Sequence, residues 1–159
     1  MSVEERLAAL EKRVRVAEDQ LEIIRLLNTY GPAVDSGEGE AAAHLWIEGG
    51  VYDMGGLRRA KGFDDIAEVY VSQIHQDMIH KGCAHLTATP RITMNGDTAE
   101  AVAYSFIVLK GGEGWNVFRA SVNHWTLTRT HDGWRIVERY NRTVDGSEES
   151  HDTMRKVLR

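Results

Sequence analysis

The stretch "CAHLTATPRITMNGD", residues 83–97, marks the point where the chain changes character. Upstream of it the periodicity is mainly helical; downstream it is that of strands. Within it, "RITM" runs into "NGD", a tight hairpin signal. Beyond it, "TAEAVAYSFIVLK" (98–110) reads as a strand ended by "GGEG". "WNVFRASVNHWTLTRT" (115–130) is a second, closed by the turn "HDG", and "WRIVERYNRTV" (134–144) is a third. His85 stands at the start of this meander.

Working back, residues 3–30 predict one long helix. Leu7, Leu10, Val14, Ala17, Leu21 and Ile24 recur at spacings of three and four, with Glu and Arg between them. The stripe is either a coiled-coil seam or a face laid on a domain. Gly31-Pro32 bends or ends that helix, with a further turn through "AVD" reaching Ser36-Gly37. "EGEAAAHLWIEGG" (38–50) reads as a short helix stopped by Gly49-Gly50. "VYDMGG" and "LRRAKG" read as two short strands, and "GFDDIAEVYVSQIHQDMIHKG" (62–82) as a third helix. The tail from Asp145 is polar and is expected to be loosely held.

Helices first and an antiparallel meander afterwards predict an α+β fold. The expected form is a cone-shaped barrel: a curved, mostly antiparallel six-stranded sheet packed on three helices around an apolar pocket. The whole of 1–159 is read as one domain, with an N-terminal helix extension over 3–20 and a tail over 145–159. The chain has 159 residues, 42% hydrophobic and 27% charged, the balance of a soluble globular protein. A net charge of −5 argues against general nucleic-acid binding. No window is apolar enough for a membrane span, and the charged start is unlike a secretory signal. A single cysteine, Cys83, leaves no internal disulfide. A cytoplasmic location is the expectation.

Histidine titrates near neutrality and suits proton removal, so His85 is a candidate base. Its plainer role is that of a packed residue at a strand start, and Asp35 before Ser36-Gly37 could simply close a turn. His75, His80 and His85 are spaced by five and share no helical face. Cys83 and His85 could share a strand face, but two ligands make no zinc site, and no metal is expected. No nucleophile elbow, phosphate loop or dinucleotide fingerprint is present. On the strand 115–130, Arg119, Ser121, Asn123 and Trp125 alternate with Phe118, Ala120, Val122 and His124, and parity alone does not say which set faces a cavity. Asn123 and Ser121 are polar enough to hold a substrate oxygen. Trp46, Tyr52, Tyr104 and Phe106 are the expected aromatic lining, which would favour a flat, hydrophobic ligand.

Three features together resemble the SnoaL-like branch of the nuclear transport factor 2 superfamily. They are the helix running into "YGPAVDSGE", the histidine five residues before proline in "HLTATPRI", and the closing "DGWRIVERYNR". The pattern is most similar to the scytalone dehydratase, bile acid 7α-dehydratase and hexachlorocyclohexane dehydrochlorinase group. The resemblance implies an Asp-His pair at Asp35 and His85, an assisting Tyr30, and a final-strand arginine for which Arg139 and Arg142 are both candidates. It implies a cofactor-free lyase acting on a small hydrophobic, cyclic or aromatic compound. Alternatives are an isomerase or polyketide cyclase using the same pair, and a non-catalytic binding or assembly module. It also implies a homo-oligomer, a trimer first and a dimer second.

Overall fold

The computed structural model describes residues 1–158. The first helix, α1 (Val3–Asp35), is opened by a capping box in which Ser2 and Glu5 satisfy each other's backbone N–H groups. It does not end at Gly31-Pro32 but carries through Pro32 to Asp35. The face it buries is Asp19, Ile23, Leu27, Tyr30 and Val34, at spacings of three and four. Fully burying Ile23, Leu27 and Val34 stabilises the docking by roughly 1.5–3 kcal/mol each. The stripe predicted from Leu7 to Leu21 is a different face: Leu7, Leu10, Val14 and Leu21 all remain exposed.

A short helix α2 (Gly39–Ala43) follows, then strands β1 (Trp46–Asp53) and β2 (Arg59–Lys61). Gly49-Gly50, read above as a helix stop, instead lie inside β1. The pairing of β1 with the last strand shifts register between Trp46 and Val51. A glycine pair accommodates such a bulge, and a Cβ on Gly50 would meet the Trp46 side chain. The expected third helix divides into α3 (Phe63–Val71) and α4 (Gln73–Lys81). The break is at Ser72, whose backbone is extended and whose hydroxyl accepts from His75 N–H, capping α4.

The remaining strands are β3 (Cys83–Thr87), β4 (Arg91–Asn95), β5 (Thr98–Gly111), β6 (Gly114–Thr130) and β7 (Gly133–Thr143). The sheet has seven strands rather than six, in the order β2-β1-β7-β6-β5-β3, with β4 also on β5. β3 and β4 lie end to end along β5, interrupted around Pro90, which accounts for the extra strand. Only β1 with β7 is parallel; the other pairs are antiparallel. The sheet is curved but does not close into a barrel. The polar tail, expected to be loose, forms α5 (Glu148–Arg155), capped by Ser147 and packed on β5, β6 and β7 with Ser150 and Thr153 buried. The fold is therefore α+β with five α-helices among the described residues. No helix is long and apolar enough to cross a membrane.

Candidate active site

The site lies where the C-terminal end of α1 crosses β3. Helical geometry places Tyr30 and Val34 on the buried face of α1, and Asp35 closes its last turn beside the sheet edge. The Asp35 carboxylate takes two hydrogen bonds from one residue. His85 backbone N–H donates to Oδ2 at 2.7 Å, and His85 Nδ1 lies 2.6 Å from Oδ1. With Nδ1–H donating to the carboxylate, Nε2 is left as an acceptor, and it has no hydrogen bond among the described residues. The His85 side chain is only 11% exposed and lines a narrow cleft.

That cleft has a volume of about 40 Å³. It holds a few waters but not an aromatic ring. Its floor is polar: Tyr30, Tyr52, Ser121, Arg139 and Asn141. Its apolar wall is Leu86, Phe106 and Ile107. A larger depression of about 630 Å³ lies along β4, β5 and Lys156, but it includes none of the residues gathered around His85.

The inward set on β6 is Arg119, Ser121, Asn123 and Trp125, which decides the parity left open by the sequence. Asn123 is wholly buried and does not reach the cleft itself. Its Oδ1 accepts from Arg139 Nε at 2.9 Å and from Asn141 Nδ2 at 2.7 Å, while its Nδ2 donates to Ser105 Oγ at 2.8 Å. Arg119 in turn donates to Asn141 Oδ1 at 3.0 Å. The ladder Arg119–Asn141–Asn123–Arg139 thus fixes two guanidinium groups on the cleft floor.

Of the two candidate arginines, only Arg139 enters the site. It is 3% exposed, with its guanidinium 4.3 Å from the ring centre of Tyr30 and 4.7 Å from that of Tyr52. Burial works against its charge, but the phenol oxygens of Tyr52, Tyr30 and Tyr70 outweigh that and hold its pKa above the usual value. Arg142 lies on the opposite face, because residues three apart on a strand point opposite ways. There it pairs with Asp53 and Glu149. Tyr104 is likewise turned outward and nearly half exposed. Trp46 is buried in the core, edge-on to Tyr30, and gives its indole N–H to the Val51 carbonyl rather than to the cleft.

Three more residues lie near His85 that the sequence did not mark as site residues, although the strand alternation of Cys83 with His85 pointed to one of them. His75 packs its ring 5.5 Å from that of His85 and bonds the Val34 carbonyl through Nε2. Burial lowers its pKa, so it is neutral at pH 7. Tyr70 bonds Tyr30, hydroxyl to hydroxyl, at 3.4 Å, and burial pushes its own pKa well up. Cys83 lies with Asp35 and His85, their donor atoms within 4.8 Å of one another. Burial, and then the Asp35 carboxylate, push the thiol up to about 11, so the group at pH 7 is a neutral thiol.

Residues 15–140 match the SnoaL-like domain. The chain belongs to that family. The SnoaL-like family includes polyketide cyclases and dehydratases. Among solved structures, an NTF2-like protein with a cystatin-like fold from Novosphingobium aromaticivorans is 38% identical over 93% of this chain and 96% of its own, with a TM-score of 0.90. A protein of unknown function from Mycobacterium tuberculosis is 20% identical over 87% of this chain and 91% of its own, with a TM-score of 0.70. A cystatin-like protein of unknown function from Nostoc punctiforme is 18% identical over 84% of this chain and 96% of its own, with a TM-score of 0.69. No curated protein matches the chain. The likeness to the last two structures concerns the SnoaL-like fold alone.

Proposed function

We propose that the protein is a cofactor-free lyase that eliminates water, a halide or a small carbonyl fragment from a cyclic or aromatic compound. The observation that carries this reading is the double hydrogen bond from His85 to Asp35, which leaves Nε2 unpartnered among the described residues, on a residue that lines the cleft. In this mechanism Nε2 takes a proton from the substrate. For water or halide, that proton comes from the carbon next to the one bearing the leaving group. The C–H electrons become the new double bond, and the leaving group departs with its own bonding pair. For a carbonyl fragment, the proton comes from the hydroxyl of a hydroxymethyl group. Its C–C bond then breaks, the fragment leaves as an aldehyde, and the pair stays on the remaining carbon. Asp35 holds the ring in one tautomer and stabilises the imidazolium that forms. Tyr30 and Arg139 stabilise the negative charge that develops on the departing or neighbouring oxygen. General-base catalysis of this kind contributes roughly 10²–10⁴-fold.

The narrowness of the cleft fits a substrate whose reactive end enters between His85 and Arg139 while its apolar body rests on Leu86, Phe106 and Ile107. The test is a panel of aryl and alicyclic compounds bearing a hydroxyl, halide or hydroxymethyl group beside an acidic C–H. Loss of water, hydrogen halide or formaldehyde is followed by mass spectrometry, with His85→Ala as the paired control. Turnover in the wild type should fall at least about 10²-fold in the variant. Elimination that persists in His85→Ala, or that occurs with no compound of the panel, removes the reading.

A further inference from the structure

Arg119 and Arg139 both line the cleft, and neither takes part in an ion pair among the described residues. Arg58, Arg59, Arg129, Arg142 and Arg155 each pair with a carboxylate, and Arg6, Arg13, Arg15, Arg25 and Arg91, which do not, are exposed to water. Arg139 is compensated in part by the rings of Tyr30 and Tyr52 on either side of it. Arg119 has no such enclosure. Its Nε is buried and has no hydrogen-bond partner, the one such side-chain atom among the described residues. No carboxylate lines the cleft among the described residues, and Asp35, behind His85, is already committed to it. A buried N–H without an acceptor costs about 1–3 kcal/mol, and native structures rarely leave one so. The Asn141 and Asn123 amides meanwhile hold both cations in fixed positions.

We propose that the natural ligand carries a carboxylate, which seats on the cleft floor against the Nε edge of Arg119 and beside Arg139. A planar carboxylate fits the fork of a guanidinium, and its charge supplies what the site lacks. The inference deepens the lyase reading by naming its substrate class: an acidic compound, held by its carboxylate, whose reacting C–H or O–H is presented to His85. Arg119 is then a binding residue that sets specificity, and the carboxylate's distance from His85 selects which proton is removed.

The probe pair is benzoate and benzamide, alike in shape and differing in charge. Isothermal titration at pH 7 should show benzoate binding the wild type at least about tenfold more tightly than benzamide, the scale of a charge-assisted bond. Arg119→Met should abolish that preference while leaving the thermal melt within a few degrees. Should the variant misfold, the wild-type Arg119 Nε resonance serves instead, shifting with benzoate and not with benzamide. No benzoate binding at 10 mM (about the weakest affinity of interest), equal affinity for the two probes, a preference that survives Arg119→Met, or a static Arg119 resonance each overturns the proposal. The titration reads anion recognition without any turnover, and the elimination assay with His85→Ala reads proton removal, so a failure of anion recognition and a failure of the general-base reading are separable.

Discussion

Gly31 of α1 lies directly against the backbone carbonyl of His85 in β3. A Cβ built on residue 31 would fall far inside contact with that oxygen, which is backbone and cannot swing away. The absence of a side chain there lets the helix come close enough for Asp35, one turn later, to reach both the backbone and the ring of His85. Gly31→Ala is expected to force α1 and β3 apart, destabilising the fold by roughly 1–3 kcal/mol as overpacking does. It should also lengthen the Asp35–His85 contact. Thermal melts and the His85 Nδ1 proton resonance measure the two effects. A variant with wild-type melting and an unchanged resonance would show that the approach is not tight.

The sequence disclosed the order of elements and the residues around His85 better than the bends between them. Gly31-Pro32 carries two opposite meanings, helix breaker and close contact, and only the position of β3 decides between them. Proline's missing N–H and fixed φ are tolerated here within the last turn of the helix, and the chain stays helical to Asp35. Gly49-Gly50 misled for the same reason: a strand bulge and a helix stop use the same residue. Strand parity was undecidable because both β6 faces are covered, one by the helices of the core and the other by α5. Asn123 and Val122 are consequently both buried. Arg119 was invisible as a site residue, since a buried Nε–H without an acceptor can be recognised only once its surroundings are known.

Asp35→Asn tests what the carboxylate contributes beyond position. The amide can accept from Nδ1–H, so the ring stays near its place. It cannot also accept the His85 backbone N–H, and it carries no charge to stabilise an imidazolium. The expected result is a fall in kcat of roughly 10²–10⁴-fold with little change in KM. A modest loss, severalfold only, would assign Asp35 a structural role in holding β3.

Asp19 ties the middle of α1 to the β6–β7 hairpin. Its buried carboxylate accepts from Arg129 at 2.6 Å and from the Trp134 indole N–H at 3.2 Å. The Arg129 hydrogen bond holds its pKa below the usual 3.8, outweighing the opposing effect of burial. The folded pKa is depressed, so the stabilisation is fully present above pH 3.8 and is lost as pH falls through the lower folded value. Asp19→Ala strands a buried indole N–H and should cost about 1–3 kcal/mol at pH 7. Its urea midpoint should also depend less on pH between neutrality and pH 3 than that of the wild type. An acid limb as steep in the variant as in the wild type would place the acid sensitivity in other carboxylates.

The first eighteen residues of the chain are all exposed, although most of them are helical. Sixteen residues of helix project about 24 Å, and a helix of that length is marginal in water without a partner. Leu7, Leu10 and Val14 stand at coiled-coil spacing on this arm, with Leu21 just beyond it, each 47–54% exposed. A second apolar surface lies on the β5–β6 hairpin, where Trp115, Val117 and Phe118 are 59–64% exposed. A stripe of this kind can be matched by its own repeat on another copy of the chain. We expect a homo-oligomer, a trimer before a dimer. Sedimentation at micromolar concentration should give a mass of three chains, or of two. Leu10→Lys with Val14→Lys should shift that mass towards the monomer and lower the helical signal in circular dichroism, because the freed arm frays. A monomeric wild type, or an oligomer indifferent to both lysines, would leave the arm without a partner of its own kind.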